Sequence, residues 1–335
     1  MKLGACDPNR RVVVVAEIGN NHEGNPDIAA QLVREAAAAG VDAVKFQTFR
    51  THHFVSASDP VRFGRLRGFE LSQGQFRDLA DLARSLGLLF ISTPFDLASA
   101  EFLLGVADAI KLASGDVNFF PLLELVSSSD RPVVLSSGGS ELEEVETAAE
   151  FIRSRRPAGL KDELAVLHCV SAYPVPPDQV NLQVIGLLSE RLGCTIGYSD
   201  HTVGLDAALA AVALGARIVE KHFTLDREFS DFRDHQLSAD PAEMAELVRR
   251  VRLLEQMLGQ RKKIVQPSES ANIASLRRSI VAGRSLHEGH RLTLDDLTWI
   301  RPAGGLPPGA EDQLSGRILK RDVDFGEILM PSDVD

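Results

Sequence analysis

Short apolar segments alternate with helical patterns eight times between residues 12 and 258. The apolar segments are hydrophobic on both faces, which is typical of parallel strands covered by helices. Such alternation fits either an open doubly wound sheet or a closed barrel. The chain has no Gly-x-Gly-x-x-Gly turn after its first strand, and eight strand–helix units over about 250 residues match the size of a (β/α)₈ barrel. We therefore predict an α/β fold of the TIM-barrel type.

The predicted elements divide the chain into a barrel, a linker and a small tail. The strands are predicted at 12–16, 43–47, 88–93, 109–112, 132–135 and 164–167, followed by two strands that end at His201 and His222. A longer insertion at 50–70 precedes a helix at 73–85, for which Ser72 is the expected N-cap. The barrel is predicted to occupy residues 1–262 and a polar linker residues 263–275. Short apolar stretches between turns then indicate a small β-rich domain at 276–335.

Composition argues against several classes of partner. The formal net charge of −11 argues against a nucleic acid or an anionic membrane surface as the main ligand. The three cysteines have no metal-like spacing, so we expect reduced thiols. The chain shows neither the apolar core of a signal peptide nor the run of about 18 apolar residues that a membrane helix needs. We therefore expect a cytoplasmic protein without a membrane span.

Polar and ionisable side chains follow nearly every predicted strand. In a (β/α)₈ barrel the strand ends meet at one mouth, where active sites lie. His201 and His222 end successive strands, so we expect two neighbouring imidazoles that suit a divalent metal acting as a Lewis acid. The alternative is that each histidine is only a hydrogen-bonded residue at a strand end. Two equivalent positions favour a metal site.

Lys45 and Lys111 also stand at strand ends and allow two interpretations. They can hold an anionic substrate, or one of them can form a Schiff base as in a class I aldolase. Further donors favour anion binding, because hydroxyls and exposed backbone N–H groups can surround a phosphate or carboxylate. These hydroxyls belong to Thr93, Ser114, Ser136 and Ser199. An anion-binding floor beside a metal is what the joining of a phosphorylated enol to a carbonyl requires.

Six motifs follow one another along the barrel, at 16–24, 44–49, 92–96, 111–116, 197–201 and 220–224. They include Gly-Tyr-Ser-Asp-His at 197–201 and Glu-Lys-His-Phe-Thr at 220–224. Together they resemble the sialic acid synthase (nonulosonic acid synthase) family. The tail resembles that family's antifreeze-like (SAF, β-clip) domain through residues 277–280 and 300–305. The resemblance implies condensation of phosphoenolpyruvate with an open-chain N-acetylmannosamine-type sugar, giving a nine-carbon 2-keto acid and phosphate.

The resemblance also implies roles for matching residues. His201 and His222 match the ligands of a divalent metal, Mn²⁺ or Mg²⁺. The phosphoenolpyruvate contacts match Lys45, Thr93, Lys111, Ser114, Ser136 and Ser199, and positions around the sugar and the reacting carbon match Glu17, Gln47, Tyr173 and Glu220. Ser171 stands on the sugar side where some relatives carry Asn, and Leu276 stands where some carry an aromatic residue. The family implies a domain-swapped homodimer in which each tail covers the other barrel's mouth, with Arg301 reaching the partner's sugar site.

The implied chemistry has two steps. The enol carbon attacks a metal-polarised aldehyde, and water then adds to the cationic C2 before phosphate leaves by C–O cleavage. Glu220 is predicted as a proton acceptor. Thr93 and the pair Asp234 and His235 favour the sialic or legionaminic branch over the pseudaminic one.

Two other function classes remain open. One is a Schiff-base aldolase that uses Lys45 or Lys111. The other is a non-enzymatic ice- or glycan-binding protein, which the likeness of the tail alone suggests. Several arginines in the tail oppose the flat, weakly polar face that ice binding needs: Arg277, Arg278, Arg284, Arg291 and Arg301.

Overall fold

The structure, a computed structural model, describes residues 1–4 and 6–335. The chain divides into two compact units, Met1–Gly259 and Gln260–Asp335. The first unit is a closed barrel of eight parallel strands arranged in chain order, which confirms the predicted TIM-barrel fold. Within the described ranges, no helix has the length and apolar character that crossing a bilayer requires.

The barrel strands and their helices follow the predicted alternation. The strands are β1 (Val13–Gly19), β2 (Ala43–Thr48), β3 (Leu89–Pro94), β4 (Ala109–Leu112), β5 (Val133–Ser136), β6 (Leu164–Cys169), β7 (Thr195–Asp200) and β8 (Ile218–His222). The helices are α1 (Pro26–Ala38), α2 (Thr51–Phe54), α3 (Pro60–Phe69), α4 (Gln73–Ser85), α5 (Leu97–Leu104), α6 (Phe120–Ser127), α7 (Leu142–Arg155), α8 (Val184–Leu192), α9 (Asp206–Ala213), α10 (Arg233–Leu237) and α11 (Pro241–Leu258). Helix α4 has the predicted bounds and its Ser72 cap, whereas the insertion at 50–70, for which we predict no element, contains α2 and α3.

Alternation along the barrel strands separates an apolar interior from a polar mouth. Successive side chains of a strand point to opposite faces, so Val13, Val15 and Glu17 share the inward face of β1. The inward positions nearer the strand starts form one buried apolar cluster: Val13, Val15, Ala43, Ile91, Ala109, Val134, Ala165, Leu167 and Ile218. The next inward positions are ionisable or polar, including Lys45 in β2 and Glu220 in β8. The ionisable groups therefore gather at the C-terminal ends of the strands.

The second unit is small and rich in extended structure. Its two strands, β9 (Ser279–Ala282) and β10 (Leu297–Ile300), pair antiparallel with Ser279 opposite Ile300. A separate buried cluster that includes Leu319 and Leu329 forms its core. Residues 263–276, most of which the sequence predicts as linker, contain the short helices α12 (Pro267–Ser270) and α13 (Ile273–Leu276). The antiparallel sheet confirms the predicted β-rich tail.

Candidate active site

A cavity of about 640 Å³ opens at the C-terminal ends of the barrel strands. Every predicted site residue of the first unit lines it: Glu17, Lys45, Gln47, Thr93, Lys111, Ser114, Ser136, Ser171, Tyr173, Ser199, His201, Glu220 and His222. Arg301 belongs to the second unit, where it follows β10 and its side chain is exposed. The strand ends thus converge on one cavity, as barrel topology requires.

The register of the strands brings three charged groups together at the floor of this cavity. Glu17 of β1 lies opposite Lys45 of β2, and Ser199 of β7 lies opposite Glu220 of β8, to which it donates a hydrogen bond of 2.9 Å. The Lys45 ammonium lies 2.7 Å from Glu17 Oε2 and 3.6 Å from Glu220 Oε1. It also donates to Thr93 Oγ1 at 3.4 Å. One buried cation is therefore shared by two carboxylates.

The two carboxylates have opposite pKa shifts. Burial raises the pKa of Glu17, and the negative charge of Glu220 adds to this effect, although Lys45 opposes it. Burial also works against the charge of Glu220, but the ammonium groups of Lys45 and Lys111 lower its pKa to about 2. For Lys45, burial opposes the charge, but Glu17 and Glu220 raise its pKa overall. Glu17 is therefore the more basic of the two carboxylates.

Lys111 forms a second part of the floor with different partners. Its Nζ donates to Ser136 Oγ at 2.6 Å and to the carbonyl oxygen of Leu112 at 3.1 Å. In the part of the chain that the structure describes, it makes no ion pair with a carboxylate, and burial lowers its pKa, with Glu220 opposing. A buried ammonium without a directly paired carboxylate is suited to bind an anion, because the anion supplies the missing countercharge.

His201 and His222 lie side by side in the cavity. Their ring centroids are 5.3 Å apart, and Tyr173 stacks on His201 with a centroid distance of 4.2 Å. His201 Nδ1 lies 2.9 Å from the carbonyl oxygen of Val170, which leaves Nε2 as its free ring nitrogen. His222 Nδ1 is buried and has no hydrogen-bond partner among the described residues, and burial lowers the pKa of this imidazole. Both rings line the cavity, and each neutral imidazole carries one nitrogen lone pair.

This pair of imidazoles fits a divalent metal ion. Neutral imidazoles are common metal ligands, and the unpartnered buried nitrogen of His222 is a group that a metal would satisfy. Among residues 1–4 and 6–335, no three side chains of His, Cys, Asp or Glu converge to hold a metal. Two histidines alone would leave most coordination positions to water and substrate, which is a property of catalytic rather than structural sites.

Asn20 is a wall residue that the sequence analysis misses. Its Nδ2 donates to Gln47 Oε1 at 2.7 Å, and Gln47 Nε2 in turn donates to Glu17 Oε1 at 3.2 Å. Asn20 therefore orients the side chain of Glu17 through Gln47. It comes directly after β1, so the same strand-end argument that identifies Glu17 could have included it.

The rim of the cavity comes from helices rather than strand ends. Helix α3 contributes Arg62 and Arg65, and the region of α10 contributes Arg233 and Asp234. The Arg233 guanidinium carbon lies 4.4 Å from the ring centroid of Tyr173, and its Nε lies 3.3 Å from Asp234 Oδ1. None of these four residues is among the predicted site residues, because those lie at strand ends and in the loops that follow them, whereas these four belong to helices.

Comparisons with known proteins agree with the motifs. The profile of the NeuB family matches residues 32–263, and that of the SAF domain matches residues 277–335. N,N'-diacetyllegionaminic acid synthase of Legionella pneumophila is 34% identical, with 95% of this chain and 93% of that protein covered. The N-acetylneuraminate-9-phosphate synthase of Homo sapiens is 35% identical, with 96% and 92% covered.

A solved structure extends this likeness to three dimensions. The crystal structure of N-acetylneuraminic acid (sialic acid) synthetase from Leptospira borgpetersenii, in complex with citrate, has a TM-score of 0.76 to this chain. It is 33% identical, and the match covers 82% of this chain and 94% of that chain. The chain therefore belongs to the NeuB family of nonulosonic acid synthases, with a C-terminal SAF domain.

Proposed function

We propose that this protein condenses phosphoenolpyruvate with water and an open-chain N-acetylmannosamine-type hexose that carries a 2-acetamido group or 2,4-diacetamido groups. The products are a nonulosonic acid of the sialic or legionaminic type and inorganic phosphate. The observation that supports this proposal most is a single cavity, in a chain of the NeuB family, that combines an anion-binding floor with two neighbouring imidazoles.

The floor would hold the two anionic groups of phosphoenolpyruvate. Among the described residues Lys111 has no carboxylate partner, and its Nζ donates to Ser136 and to the Leu112 carbonyl. Its third N–H is therefore available to an anionic oxygen. Lys45 provides a second positive charge, and Thr93 lies within 3.4 Å of its Nζ. Ser114 and Ser199 line the same cavity. Such a floor fixes the enol carbon in one orientation relative to the acceptor, and orientation alone contributes several kcal/mol to catalysis.

The bond changes then follow in order. The enol carbon of phosphoenolpyruvate bonds to the aldehyde carbon, and the aldehyde oxygen takes up a proton. Water adds to the electron-deficient C2 and gives up a proton, and the C–O bond to phosphate then breaks. We assign the acceptance of the proton from water to Glu17, because its pKa is raised whereas that of Glu220 is lowered to about 2. Glu220, which the sequence predicts as the proton acceptor, lines the same cavity and stays the alternative, although two nearby ammonium groups lower its pKa and make it a weaker base.

His201 and His222 would hold Mn²⁺ or Mg²⁺. When bound, such an ion polarises a carbonyl oxygen and lowers the pKa of a coordinated water. The protein prepares His201 for this role, because the Val170 carbonyl accepts from Nδ1–H and Tyr173 stacks on the ring. A fixed tautomer and ring plane are the usual contribution of groups behind a metal ligand.

The reaction is tested by assaying phosphate release with phosphoenolpyruvate, Mn²⁺ and a panel of 2-acetamido and 2,4-diacetamido hexoses. Phosphoenolpyruvate labelled with oxygen-18 at the bridge between C2 and phosphorus distinguishes the bond that breaks. We expect the label in the released phosphate. Label retained in the keto acid, or phosphate release that does not require a hexose, would contradict the proposal.

The metal is tested by its binding as well as by activity. We expect His201→Ala and His222→Ala each to weaken the binding of Mn²⁺, measured by electron paramagnetic resonance, and chelation to abolish phosphate release. His287→Ala is a matched control, because His287 is 93% exposed and lies in the second unit. Unchanged Mn²⁺ binding in both cavity variants would remove the metal from the proposal.

We also propose a cytoplasmic, domain-swapped homodimer in which the SAF domain covers the partner's cavity. An exposed Arg301 supports this arrangement, because the resemblance assigns that residue to the partner's sugar site. Analytical ultracentrifugation should detect a dimer. Mixing Arg301→Ala protein with an inactive Lys111→Met variant should leave activity well above that of either variant alone, because one cavity of the mixed dimer keeps both residues.

A further inference from the structure

Helix α3 carries positive charges that have no role in the proposed bond changes. It carries Arg62, Arg65 and Arg67, of which the first two line the cavity. Across the described residues, none of the three guanidinium groups makes an ion pair with a carboxylate or a side-chain hydrogen bond. Arg233, at the same rim, is instead paired with Asp234.

Arg62 lies over the Phe54 ring at 5.9 Å, and Asp59 lines the same cavity. Helix α3 therefore places at the cavity two exposed guanidinium groups that have no ion-pair partner among the described residues, in a chain whose net charge is −11.

The position of α3 is fixed at its ends rather than by a buried face. None of its residues is buried, so it adds little to the hydrophobic core. At its start, Asp59 Oδ1 accepts from the backbone N–H of Arg62 at 3.0 Å. At its end, Phe69 packs edge-on against Phe232 with ring centroids 5.1 Å apart. Gly24 also lies so near the backbone of α3 that a Cβ there would collide with a carbonyl oxygen. The helix is thus held at the mouth of the cavity.

The ligand of these charges can be identified from the two proposed substrates. Phosphoenolpyruvate is assigned to the floor, where the Lys111 ammonium has no paired carboxylate among the described residues and donates to Ser136. The acceptor must place its aldehyde carbon at that floor, so its other end points to the rim. An uncharged sugar would leave the two arginines without a countercharge, whereas guanidinium groups bind phosphate monoesters through strong charge-assisted hydrogen bonds.

We propose that Arg62 and Arg65 form a second anion subsite that selects a hexose acceptor phosphorylated at the end remote from its aldehyde. This inference rests on the proposed function and narrows its substrate class. The names of the relatives include synthases of phosphorylated and of unphosphorylated products. The human protein is named for a product with a 9-phosphate, and the Legionella protein for a product without phosphate. The subsite places this chain with the former in acceptor choice.

Binding can be tested apart from turnover. Reduction of the aldehyde gives an alditol that cannot react, so N-acetylmannosaminitol and its 6-phosphate can be titrated calorimetrically into the full-length protein. We expect the phosphorylated alditol to bind at least about 10-fold more tightly, as charged hydrogen bonds typically allow. The double variant Arg62→Ala with Arg65→Ala should lose this preference. Arg67→Ala, on the same helix but outside the cavity wall, should keep it.

Steady-state kinetics then shows which of the two substrates the arginines bind. In the double variant we expect the KM for a phosphorylated hexose to rise about 10- to 100-fold, while kcat and the KM for phosphoenolpyruvate stay within about twofold. Equal binding of the two alditols by the wild type would overturn the subsite. So would a double variant that raises only the KM for phosphoenolpyruvate, or an equal effect of Arg67→Ala. Absence of phosphate release with every hexose would defeat the proposed function instead, and the titrations would still decide the subsite.

Discussion

The ammonium nitrogen of Lys45 lies 2.7 Å from Glu17 Oε2, and the two side chains are only 5% and 2% exposed. Moving both charges out of water is unfavourable, and their attraction offsets this only with good geometry and further hydrogen bonds. Thr93 and Gln47 supply such bonds to the lysine and the glutamate respectively. The pair is thus a polar element inside a barrel whose neighbouring inward positions are apolar.

Removal of the Lys45 charge should destabilise the fold. In Lys45→Met, the buried carboxylates of Glu17 and Glu220 lose their shared cation, and we expect the free energy of unfolding to fall by about 3–5 kcal/mol. Urea denaturation measures this. Lys111→Met is the matched control and should lose less, because Lys111 makes no ion pair among the described residues. Adding Glu17→Gln to Lys45→Met should restore part of the loss, and equal losses in the two lysine variants would contradict the expectation.

Glu220 should make stability depend on pH with a definite sign. Its pKa in the folded protein is about 2, below the ordinary value of 4.5. A group whose pKa is lowered by folding contributes stability that is present above its unfolded pKa and is lost as pH falls toward its folded pKa. The stability of the wild type relative to Glu220→Gln should therefore be constant above about pH 5 and shrink between about pH 4.5 and pH 2.

Urea unfolding of both proteins at several pH values measures this difference. Glu228→Gln alters an exposed carboxylate and should follow the wild type throughout. A stability difference between wild type and Glu220→Gln that stays the same at all pH values, or grows in acid, would show that Lys45 and Lys111 do not stabilise the charge of Glu220.

Gly197 is required by the close approach of β7 and β8. A Cβ at this position would lie 2.5 Å from both the carbonyl oxygen of Ile218 and Cδ2 of Leu167, so the strands would have to separate. We expect Gly197→Ala to lower the free energy of unfolding by about 1–3 kcal/mol or more, measured by thermal unfolding. Gly186→Ala, in α8 with no atom within 4 Å of the new Cβ, should be neutral or stabilising. The idea fails if the two variants melt alike.

The Schiff-base alternative now depends on Lys111. Only an unprotonated amine attacks a carbonyl, and burial lowers the pKa of Lys111 whereas that of Lys45 is raised. Since we propose that Lys111 binds an anion as an ammonium, we expect no adduct after treatment with pyruvate and borohydride. Intact-protein mass spectrometry measures this, with Lys111→Met as the control. An adduct that is present in the wild type and absent from the variant would establish the aldolase.

The barrel and its floor are predictable because their sequence signals are local. Apolar strands that end in polar residues identify Glu17, Lys45 and His222 one strand at a time, and barrel topology alone brings them together. The Ser72 cap and the apolar stripe of α4 likewise lie within a few residues of each other. Asn20 lies in the 16–24 motif but one residue past the end of β1, so a pattern of polar strand ends alone does not identify it.

Helix α3 and the pKa shifts in the cavity could not be predicted, because they depend on contacts between residues that are far apart in the sequence. Helix α3 has no buried residue, so it leaves no apolar periodicity in the sequence from which its presence could be predicted. The opposite pKa shifts of Glu17 and Glu220 are equally invisible, because both are glutamates at strand ends. They differ in their surroundings, because Lys111 and a hydrogen bond from Ser199 lower the pKa of Glu220, whereas burial and the charge of Glu220 raise that of Glu17. These surroundings exist only in the folded protein.

Because no residue of α3 is buried, residues 60–67 escape the constraint that close packing imposes on the strands, whereas Gly68 and Phe69 are held by Gly24 and Phe232. The residues proposed to carry out the bond changes lie at the ends of packed strands, whereas those proposed to bind the acceptor lie on an exposed helix. These two parts of the chain should therefore differ in their tolerance to mutation. If α3 selects the acceptor as proposed, substitutions in this one surface helix would change the choice of sugar and leave the residues of the barrel floor unchanged. Exchanging this segment between homologues is the corresponding engineering route.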